Sequence, residues 1–387
     1  MYNIVTLQKK GQILPEITLV MLGAGSSTRF NQRVKKQWLR VGDVPLWLYA
    51  TQTLQGHFPF AKTIVTTTPD ESHYSRKFSD TITFVDGGAT RQESLKNALE
   101  HVSTPYVLVS DIARPCIDEA MFQRLLNESS QADIVVPYLP VVDTVVYETS
   151  TIERDHVKLI QTPQLSKTAL LKQALQTTVD YTDDSSAIKA MGGKVAYVLG
   201  SVYAKKMTSK EDIVHIPCLA SASTNHFTGY GFDVHAYEEG KVMMLGGIEV
   251  HPTTGFKAHS DGDVAIHALI DALLGAAGAG DIGELFPDTD MTYKNIDSKQ
   301  LLEEVCSFVT KVGFEIVHCD IAIMAEFPRL SGFKDPMRFA LAKLLNINPI
   351  HVNIKATTTE KLGFVGRKEG VAVSATATLK YFDWKNV

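Results

Sequence analysis

The chain is predicted to be an α/β protein made of two consecutive α/β segments, and three observations say so. From Ile17 onward, short runs rich in β-branched residues alternate with stretches of helical period. Near the middle, Pro217-Cys218-Leu219-Ala220-Ser221-Ala222-Ser223-Thr224-Asn225 is small and polar and interrupts the alternation like a linker. The alternation then resumes to the end of the chain. At 387 residues with 44% hydrophobic content, the chain can support two or three ordinary globular cores.

In order, residues 1–15 have no clear periodicity, end at Pro15 and are assigned as an extension. Strands are expected at Ile17–Met21, Thr63–Thr67, Thr81–Val85, Tyr106–Ser110, Asp133–Val136 and Val195–Leu199, with helices such as Arg91–His101 and Glu119–Asn127 between them. That order implies a mostly parallel, Rossmann-like sheet covered on both faces, with ligands at the C-terminal ends of its strands. After the linker, strands are expected near Gly229–Val234, Glu315–Ala325 and His351–Lys355, and helices over Gly262–Ala277 and Ser298–Val312. The expected domains are therefore 16–216 and 228–387, joined by 217–227.

The bulk properties exclude several classes. A net charge of −5 argues against broad nucleic-acid or anionic-membrane binding. No apolar run reaches the roughly 18 residues of a membrane span, and Met1–Lys10 lacks the apolar stretch of a signal peptide. Cys116, Cys218, Cys306 and Cys319 are far apart with no CxxC pair, so neither a disulfide framework nor a thiolate zinc site is expected. Together these predict a cytoplasmic protein with no nucleic-acid or membrane partner.

The strongest chemical signal lies after the linker. If Gly231–Tyr237 is a strand, Asp233 and His235 share a face, because side chains alternate. If a helix begins near Asp261, then Asp263, His267 and Asp271 form a polar stripe on an otherwise apolar helix. Docking one face on the other brings a carboxylate and two imidazoles together. Three N/O ligands with an open fourth position is the pattern of a catalytic Zn²⁺, with Asp263 and Asp271 expected to orient the histidines. Farther on, Thr357-Thr358-Thr359 offers hydroxyl and N–H donors suited to a diphosphate, beside Glu360 as a second metal ligand.

The first segment carries anion-binding features. Gly23-Ala24-Gly25 follows the first strand, where glycines let backbone N–H groups approach phosphates, and Arg29 and Lys36 supply fixed positive charge. Gly87-Gly88-Ala89-Thr90-Arg91-Gln92-Glu93-Ser94 is a second glycine turn, and Asp111-Ile112-Ala113-Arg114-Pro115 ends a strand with an acid and an arginine suited to Mg²⁺ and an anion.

Taken with Leu159-Ile160-Gln161-Thr162-Pro163-Gln164, Thr182-Asp183-Asp184 and Lys206-Met207-Thr208, these motifs make residues from about Ile17 to Asp212 resemble 2-C-methyl-D-erythritol 4-phosphate cytidylyltransferase. The resemblance implies a nucleotidyltransferase sheet that joins CTP to 2-C-methyl-D-erythritol 4-phosphate. Arg29 and Lys36 would stabilise the transition state at the CTP α-phosphate. Ala24, Gly25, Gly88, Ser94 and Asp111 would hold the nucleotide and its Mg²⁺. Arg114, Arg154, Thr162, Thr182 and Lys206 would bind the acceptor, Arg154 coming from a dimer partner. Ala89 departs from the family, which often has an acid there that contacts the cytidine.

The second half, about Thr228 to Leu379, is similar to 2-C-methyl-D-erythritol 2,4-cyclodiphosphate synthase. The shared motifs are Gly231-Phe232-Asp233-Val234-His235, Ala258-His259-Ser260-Asp261-Gly262-Asp263-Val264, Gly280-Asp281-Ile282-Gly283-Glu284-Leu285-Phe286-Pro287-Asp288 and Lys355–Phe364. By this resemblance Asp233, His235 and His267 bind Zn²⁺, and Glu360 binds Mg²⁺ (or Mn²⁺) between two phosphates. His259 and Ser260 position the attacking 2-phosphate, and Asp281 and Gly283 hold the ribose. Ala325, Pro328, Arg329, Leu330, Ala356 and Thr358 line the cytosine pocket, with Arg329 in place of a common lysine; Thr358 is also assigned to the catalytic set. Phe364 and Arg367 join the ligand-binding set.

The family's active site lies between subunits, which predicts a homo-oligomer, at least a trimer through this domain. Twofold symmetry in the first half combined with the threefold would give a hexamer. The joint expectation is a bifunctional enzyme of non-mevalonate isoprenoid precursor synthesis. It would make the cytidine diphosphate derivative and, after a separate kinase step, cyclise it with release of CMP. An active cyclase with a degenerate nucleotide-binding N-terminal module remains the alternative, against which intact Arg29, Lys36, Asp111 and Lys206 argue.

Overall fold

The computed structural model describes residues 15–30, 32–258, 260–287 and 296–386. These divide into two compact units: residues up to Gln32 with Val44–Ala220, and Arg33–Asp43 with Ser221 onward. The N-terminal extension up to residue 14 and His259 lie outside the described residues.

The first unit is built on a sheet whose strands are β1 (Ile17–Leu22), β2 (Lys62–Thr67), β3 (Thr83–Asp86), β4 (Tyr106–Asp111), β5 (Ile134–Pro140), β6 (Lys158–Ile160), β7 (Gln164–Lys167) and β8 (Val195–Leu199). β1 pairs in parallel with both β2 and β4, β2 with β3, and β5 with β8. β7 runs antiparallel between β4 and β5, and β6 is antiparallel to β5. The parallel expectation thus holds, with two antiparallel strands added. β7 is hidden in the sequence because Gln164 and Ser166 are polar residues buried by their neighbours, and β6 because all three of its residues are exposed, so neither shows apolar alternation. Helices α1 (Leu46–His57), α2 (Arg91–Glu100), α3 (Glu119–Glu128) and α4 (Asp184–Ala190) belong to this unit. α2 starts at a capping box in which Thr90 accepts from Glu93 N and Glu93 accepts from Thr90 N.

One cysteine expectation fails here. Cys116 and Cys218 form a disulfide with Cα atoms 5.7 Å apart, although 102 positions separate them in sequence. Spacing alone cannot reveal a pair that tertiary folding brings together. Cys306 and Cys319 are free thiols, and burial pushes both up to about 12.

The second unit has a sheet in the order β10–β9–β13–β11–β12, formed by β9 (His226–Glu239), β10 (Thr254–Phe256), β11 (Phe314–Met324), β12 (Val352–Thr357) and β13 (Gly370–Tyr381). Only β11 and β12 pair in parallel; the other pairings are antiparallel. The central strand β13 escaped sequence reading because Ala372, Ala375 and Ala377, with Ser374, Thr376 and Thr378, give little hydrophobic contrast. Helices α5 (Val264–Ala277), α6 (Ile282–Leu285), α7 (Ser298–Lys311) and α8 (Lys334–Leu345) complete it.

The segment Arg33–Asp43 is anchored within this unit. The wholly buried Arg40 places its guanidinium 4.9 Å from the Tyr381 ring and 5.4 Å from the Phe314 ring. Its Nη2 donates to Val312 O at 3.2 Å, while Trp384 Nε1 donates to Arg40 O at 2.7 Å.

α5 is apolar on nearly every side and is the core of the unit, with Asp263 as N-cap and Gly278, in the left-handed region at φ 66°, as C-cap. It lies so close to β9 that a Cβ on Gly231 would stand 2.0 Å from Ala268 O, and one on Gly229 would stand 2.1 Å from Ala272 O. Both atoms met are helix backbone, which cannot swing aside. We therefore expect Gly231→Ala to destabilise this unit by about 3 kcal/mol, the upper end of overpacking costs. Denaturant unfolding would measure it, and a loss below about 0.5 kcal/mol, the range of surface substitutions, would refute the close-packing argument.

Candidate functional site

The close approach of β9 and α5 creates the sharpest cluster. Asp233 and His235 lie on the same face of β9, as alternation requires, and His267 sits one turn into α5. Asp233 Oδ2 lies 3.1 Å from His235 Nε2 and 3.3 Å from His267 Nδ1, and the two rings are 5.1 Å apart. One donor atom from each residue lies within 4.8 Å of the others. Ligand atoms around a tetrahedral ion with bonds of about 2.0–2.1 Å are separated by roughly 3.3 Å, so these spacings fit a zinc-sized cation.

The outward ring nitrogens are held as a metal site needs. His235 Nδ1 is 2.8 Å from Gly262 O, which leaves Nε2 facing Asp233. His267 Nε2 is 3.0 Å from Ser298 Oγ and 3.2 Å from Ser260 Oγ, which leaves Nδ1 facing Asp233. Burial by itself would raise the Asp233 carboxyl, but hydrogen bonds and charge from the two imidazoles hold it well below the ordinary carboxylate range. Burial likewise opposes the charged form of His235, and its bond to Asp233 outweighs that and raises it. The arrangement is an ionised acid with two oriented imidazoles, able to ligate a divalent cation.

Asp263 and Asp271 do not orient the histidines. Asp263 Oδ1 accepts from Gly246, Ala265 and Ile266 N–H groups and its Oδ2 from Gly247 N, so this buried acid fastens the helix start to a neighbouring turn. Asp271 accepts from Ile282 N at 2.9 Å. Gly262 O and Ser298 take the orienting role instead. Neither carried a sequence signal, since a carbonyl is common to every residue and Ser298 is 31 positions from its partner.

The remaining predicted residues of this unit lie at strand and helix ends. Asp281 N-caps α6, accepting from Glu284 N at 3.0 Å, with Gly283 inside that turn. Ala325 N donates to Thr357 O at 3.0 Å, joining the end of β11 to that of β12, beside which Ala356 and Thr358 lie. Pro328 and Leu330 are at least partly buried, whereas Arg329 is exposed. Thr358 Oγ1 donates to Glu360 Oε1 at 3.1 Å. Glu360 stands outside the Asp233 cluster and adopts φ 53°, unusual for a residue with a Cβ. Glu326, which the sequence did not single out, holds that strained turn by accepting from Thr359 N and Lys361 N. Phe364 is on the short helix Gly363–Gly366, and Arg367 pairs with Glu369 at 2.8 Å.

In the first unit, Asp111 at the end of β4 is the focus. Lys206 Nζ is 2.7 Å from its Oδ2, Arg91 Nε is 3.6 Å from its Oδ1, and Asp111 N donates to Thr162 Oγ1 at 3.4 Å. Burial would raise this carboxyl, but Lys206 and Arg91 hold it below the ordinary range. Arg114 donates to Ala204 O at 2.6 Å, and Ala113 O accepts from Met207 N, so the Arg114 and Lys206 segments are bound together.

The glycine turns are packed for close approach. A Cβ on Gly87 would stand 2.2 Å from that of Ala24, and one on Gly88 would strike Glu93. Gly25 is exposed beside Ala24. Ser94 Oγ accepts from Gly88 N at 3.0 Å and donates to Thr90 O at 2.9 Å, so it shapes the loop. Thr182 is exposed just before α4. Arg154 stands apart on the turn Arg154–His156, exposed and donating to Val142 O at 2.6 Å. Arg29 is in the one-turn helix Thr28–Phe30, its side chain outside the described residues, and Lys36 opens the turn Lys36–Trp38 within the second unit's anchored segment.

Comparison with known proteins matches residues 17–219 to the 2-C-methyl-D-erythritol 4-phosphate cytidylyltransferase (IspD) family and residues 226–380 to the YgbB family. The chain is 55% identical to a bifunctional enzyme IspD/IspF of Aliarcobacter butzleri over 96% of its own length and 99% of that protein. It is 52% identical to the Sulfurimonas denitrificans bifunctional enzyme IspD/IspF over the full length of both. The structure of the bifunctional IspDF from Campylobacter jejuni superposes with a TM-score of 0.87 at 50% identity, covering 96% of this chain and all of that one.

The hydrogen bond to His267 Nε2 yields a direct test. If the cluster takes a divalent cation such as Zn²⁺, Ser298→Ala should lower its affinity for the added ion about tenfold, the lower end for removal of a ligand's supporting partner. Competition against a chromogenic chelator reads this out; unchanged affinity would mean that Ser260 suffices to hold the ring.

Proposed function

The chain belongs to the bifunctional IspD/IspF family, and from that premise we propose which of its residues carry each reaction. It is an enzyme of isoprene biosynthesis with a cytidylyltransferase role and a cyclodiphosphate synthase role. We assign these to residues 16–216 and 228–387, with 217–227 as linker and 1–15 as an extension.

In the transferase reaction an oxygen of the 2-C-methyl-D-erythritol 4-phosphate attacks the α-phosphorus of CTP, and the bond to pyrophosphate breaks. The attacking group is already an anion, so the protein supplies positioning and charge stabilisation, with no nucleophile of its own. Arg29 and Lys36 stabilise negative charge on the reacting phosphate. Backbone at Ala24, Gly25 and Gly88, with the Ser94-braced turn, receives the nucleotide. Asp111 is suited to Mg²⁺, being ionised and at a strand end. Arg114, Thr162, Thr182 and Lys206 bind the acceptor, and Arg154, set apart on its turn, serves a neighbouring subunit.

In the cyclase reaction the 2-phosphate attacks the β-phosphorus and CMP leaves. Asp233, His235 and His267 would hold a zinc ion, which would supply Lewis-acid polarisation of a phosphate oxygen. Glu360, presented by a strained turn that Glu326 pins, would hold a second divalent cation, Mg²⁺ or Mn²⁺. His259 and Ser260 orient the 2-phosphate, and Asp281 and Gly283 receive the ribose. Ala325, Pro328, Arg329, Leu330, Ala356 and Thr358 form the rim that takes cytosine, with Phe364 and Arg367 nearby in sequence.

We further propose a homo-oligomer, at least trimeric through the second unit and hexameric overall. Supporting this, the face of β9 opposite the metal ligands exposes Tyr230 (64%), Phe232 (51%) and Val234 (43%), an apolar surface suited to burial. Among the described residues no helix is long and apolar enough to cross a membrane, and the need for CTP favours the cytoplasm.

The Asp233–His235–His267 cluster is the observation that carries this reading. With purified protein, Arg29→Ala should reduce acceptor-dependent pyrophosphate release from CTP more than about 100-fold while leaving CMP release from the cyclase substrate intact. Asp233→Ala should do the reverse, and chelation should abolish CMP release until zinc is restored. If each substitution impaired both reactions equally, the division of residues would be wrong.

A further inference from the structure

The sequence places Arg91 in the second glycine turn, yet it occupies the centre of the first unit's buried charge network. Its Nη1 donates to Asp184 Oδ1 at 2.7 Å, and its Nε lies 3.6 Å from Asp111 Oδ1. The Asp184 side chain is wholly buried and that of Asp111 nearly so. Asp111 turns its other oxygen to Lys206 at 2.7 Å. Asp184 opens α4 directly after Thr182-Asp183, and Asp183 caps that helix by accepting from Ser186 N. Asp183 also accepts from Gln164 Nε2 at 3.1 Å, and Gln164 Oε1 accepts from Ser185 N at 3.1 Å, so the turn is rigidly tied to β7.

One guanidinium therefore spans two acids that belong to different parts of the site. Asp111 lies on the nucleotide side, and Asp184 belongs to the turn that presents Thr182 to the acceptor. Burial opposes charge on Arg91, but the two carboxylates more than compensate. A planar fork can serve two acids at once, which a lysine's single point charge cannot do with the same geometry. Buried ion pairs are often no more stabilising than apolar residues of equal volume, so stability alone is a weak reason for this arrangement.

We propose that Arg91 is a positioning residue for cytidylyl transfer: by gripping Asp111 and Asp184 together, it sets the spacing between the nucleotide-binding and acceptor-binding sides of the site. The inference rests on the assignment of Asp111 and Thr182 to substrate binding.

The test uses the full chain, with steady-state pyrophosphate release as the readout and CMP release by the cyclase as the control for an intact preparation. Arg91→Lys should lower kcat for transfer about 100-fold, the cost of an ångström-scale misplacement, and raise the KM for the acceptor several-fold, with CMP release unchanged. The double variant Arg91→Gln/Asp184→Asn replaces the ion pair with neutral groups of similar size. It should melt near the wild-type temperature and still transfer slowly, which separates positioning from mere folding. Wild-type kinetics in Arg91→Lys, or full transfer activity in the double variant, would overturn the proposal. Asp111→Asn is the companion measurement. If that variant retains transfer, the underlying assignment fails and the inference with it; if it abolishes transfer while Arg91→Lys is normal, the inference alone fails.

Discussion

The second unit depends on the contact between a glycine-bearing strand and an apolar helix. Gly229 and Gly231 let β9 approach α5 until backbone meets backbone, and any side chain there would strike Ala268 O or Ala272 O. That approach places Asp233 and His235 on the strand within reach of His267 on the helix. Donor atoms of two strand residues and one helix residue come within 4.8 Å of one another because the elements lie closer than ordinary side chains allow. The helix can lie there because nearly all its other faces are apolar and its start is fixed by Asp263, which satisfies four backbone donors. Packing and chemistry are the same constraint at this point.

The first unit solves a different problem, the concentration of charge in a buried place. Asp111 and Asp184 are buried acids, and Arg91, Lys206 and Arg114 are partly buried bases around them. Each group would be costly alone, and mutual pairing together with donors such as Arg114 to Ala204 O makes the set tolerable. The network draws residues from the end of β4, the starts of α2 and α4 and the segment after β8. Charged groups are thereby collected where the strands end, in a protein whose net charge is only −5. Local concentration of positive charge, independent of the overall balance, suits recognition of small phosphorylated substrates.

Much of the site was legible because its residues are close in sequence or regularly spaced. Period two relates Asp233 to His235, and the helix boundary places His267, so the convergence of these three side chains could be anticipated from spacing alone. The glycine turns and the Asp111 strand end were legible for the same reason. The supporting residues were not. Ser298, Gly262, Glu326 and Asp184 act through contacts over long sequence separations, and none belongs to a short motif with its partner. Asp263 and Asp271 show the opposite error: helical spacing put them on a stripe with His267, but spacing along a helix says nothing of which backbone donors a carboxylate will meet.

By itself, then, the sequence determined the two-part α/β organisation, the alternation that sets the strand faces and the three side chains, Asp233, His235 and His267, that come together with donor atoms suited to a cation. These follow from local periodicity and from the chemistry of residue types. Only the tertiary structure decided that alanine-rich β13 lies at the centre of its sheet, that Cys116 meets Cys218, and that Arg91 joins two distant acids. Those outcomes depend on which surfaces meet after folding, because burial and pairing energies belong to contacts between segments that no local pattern records.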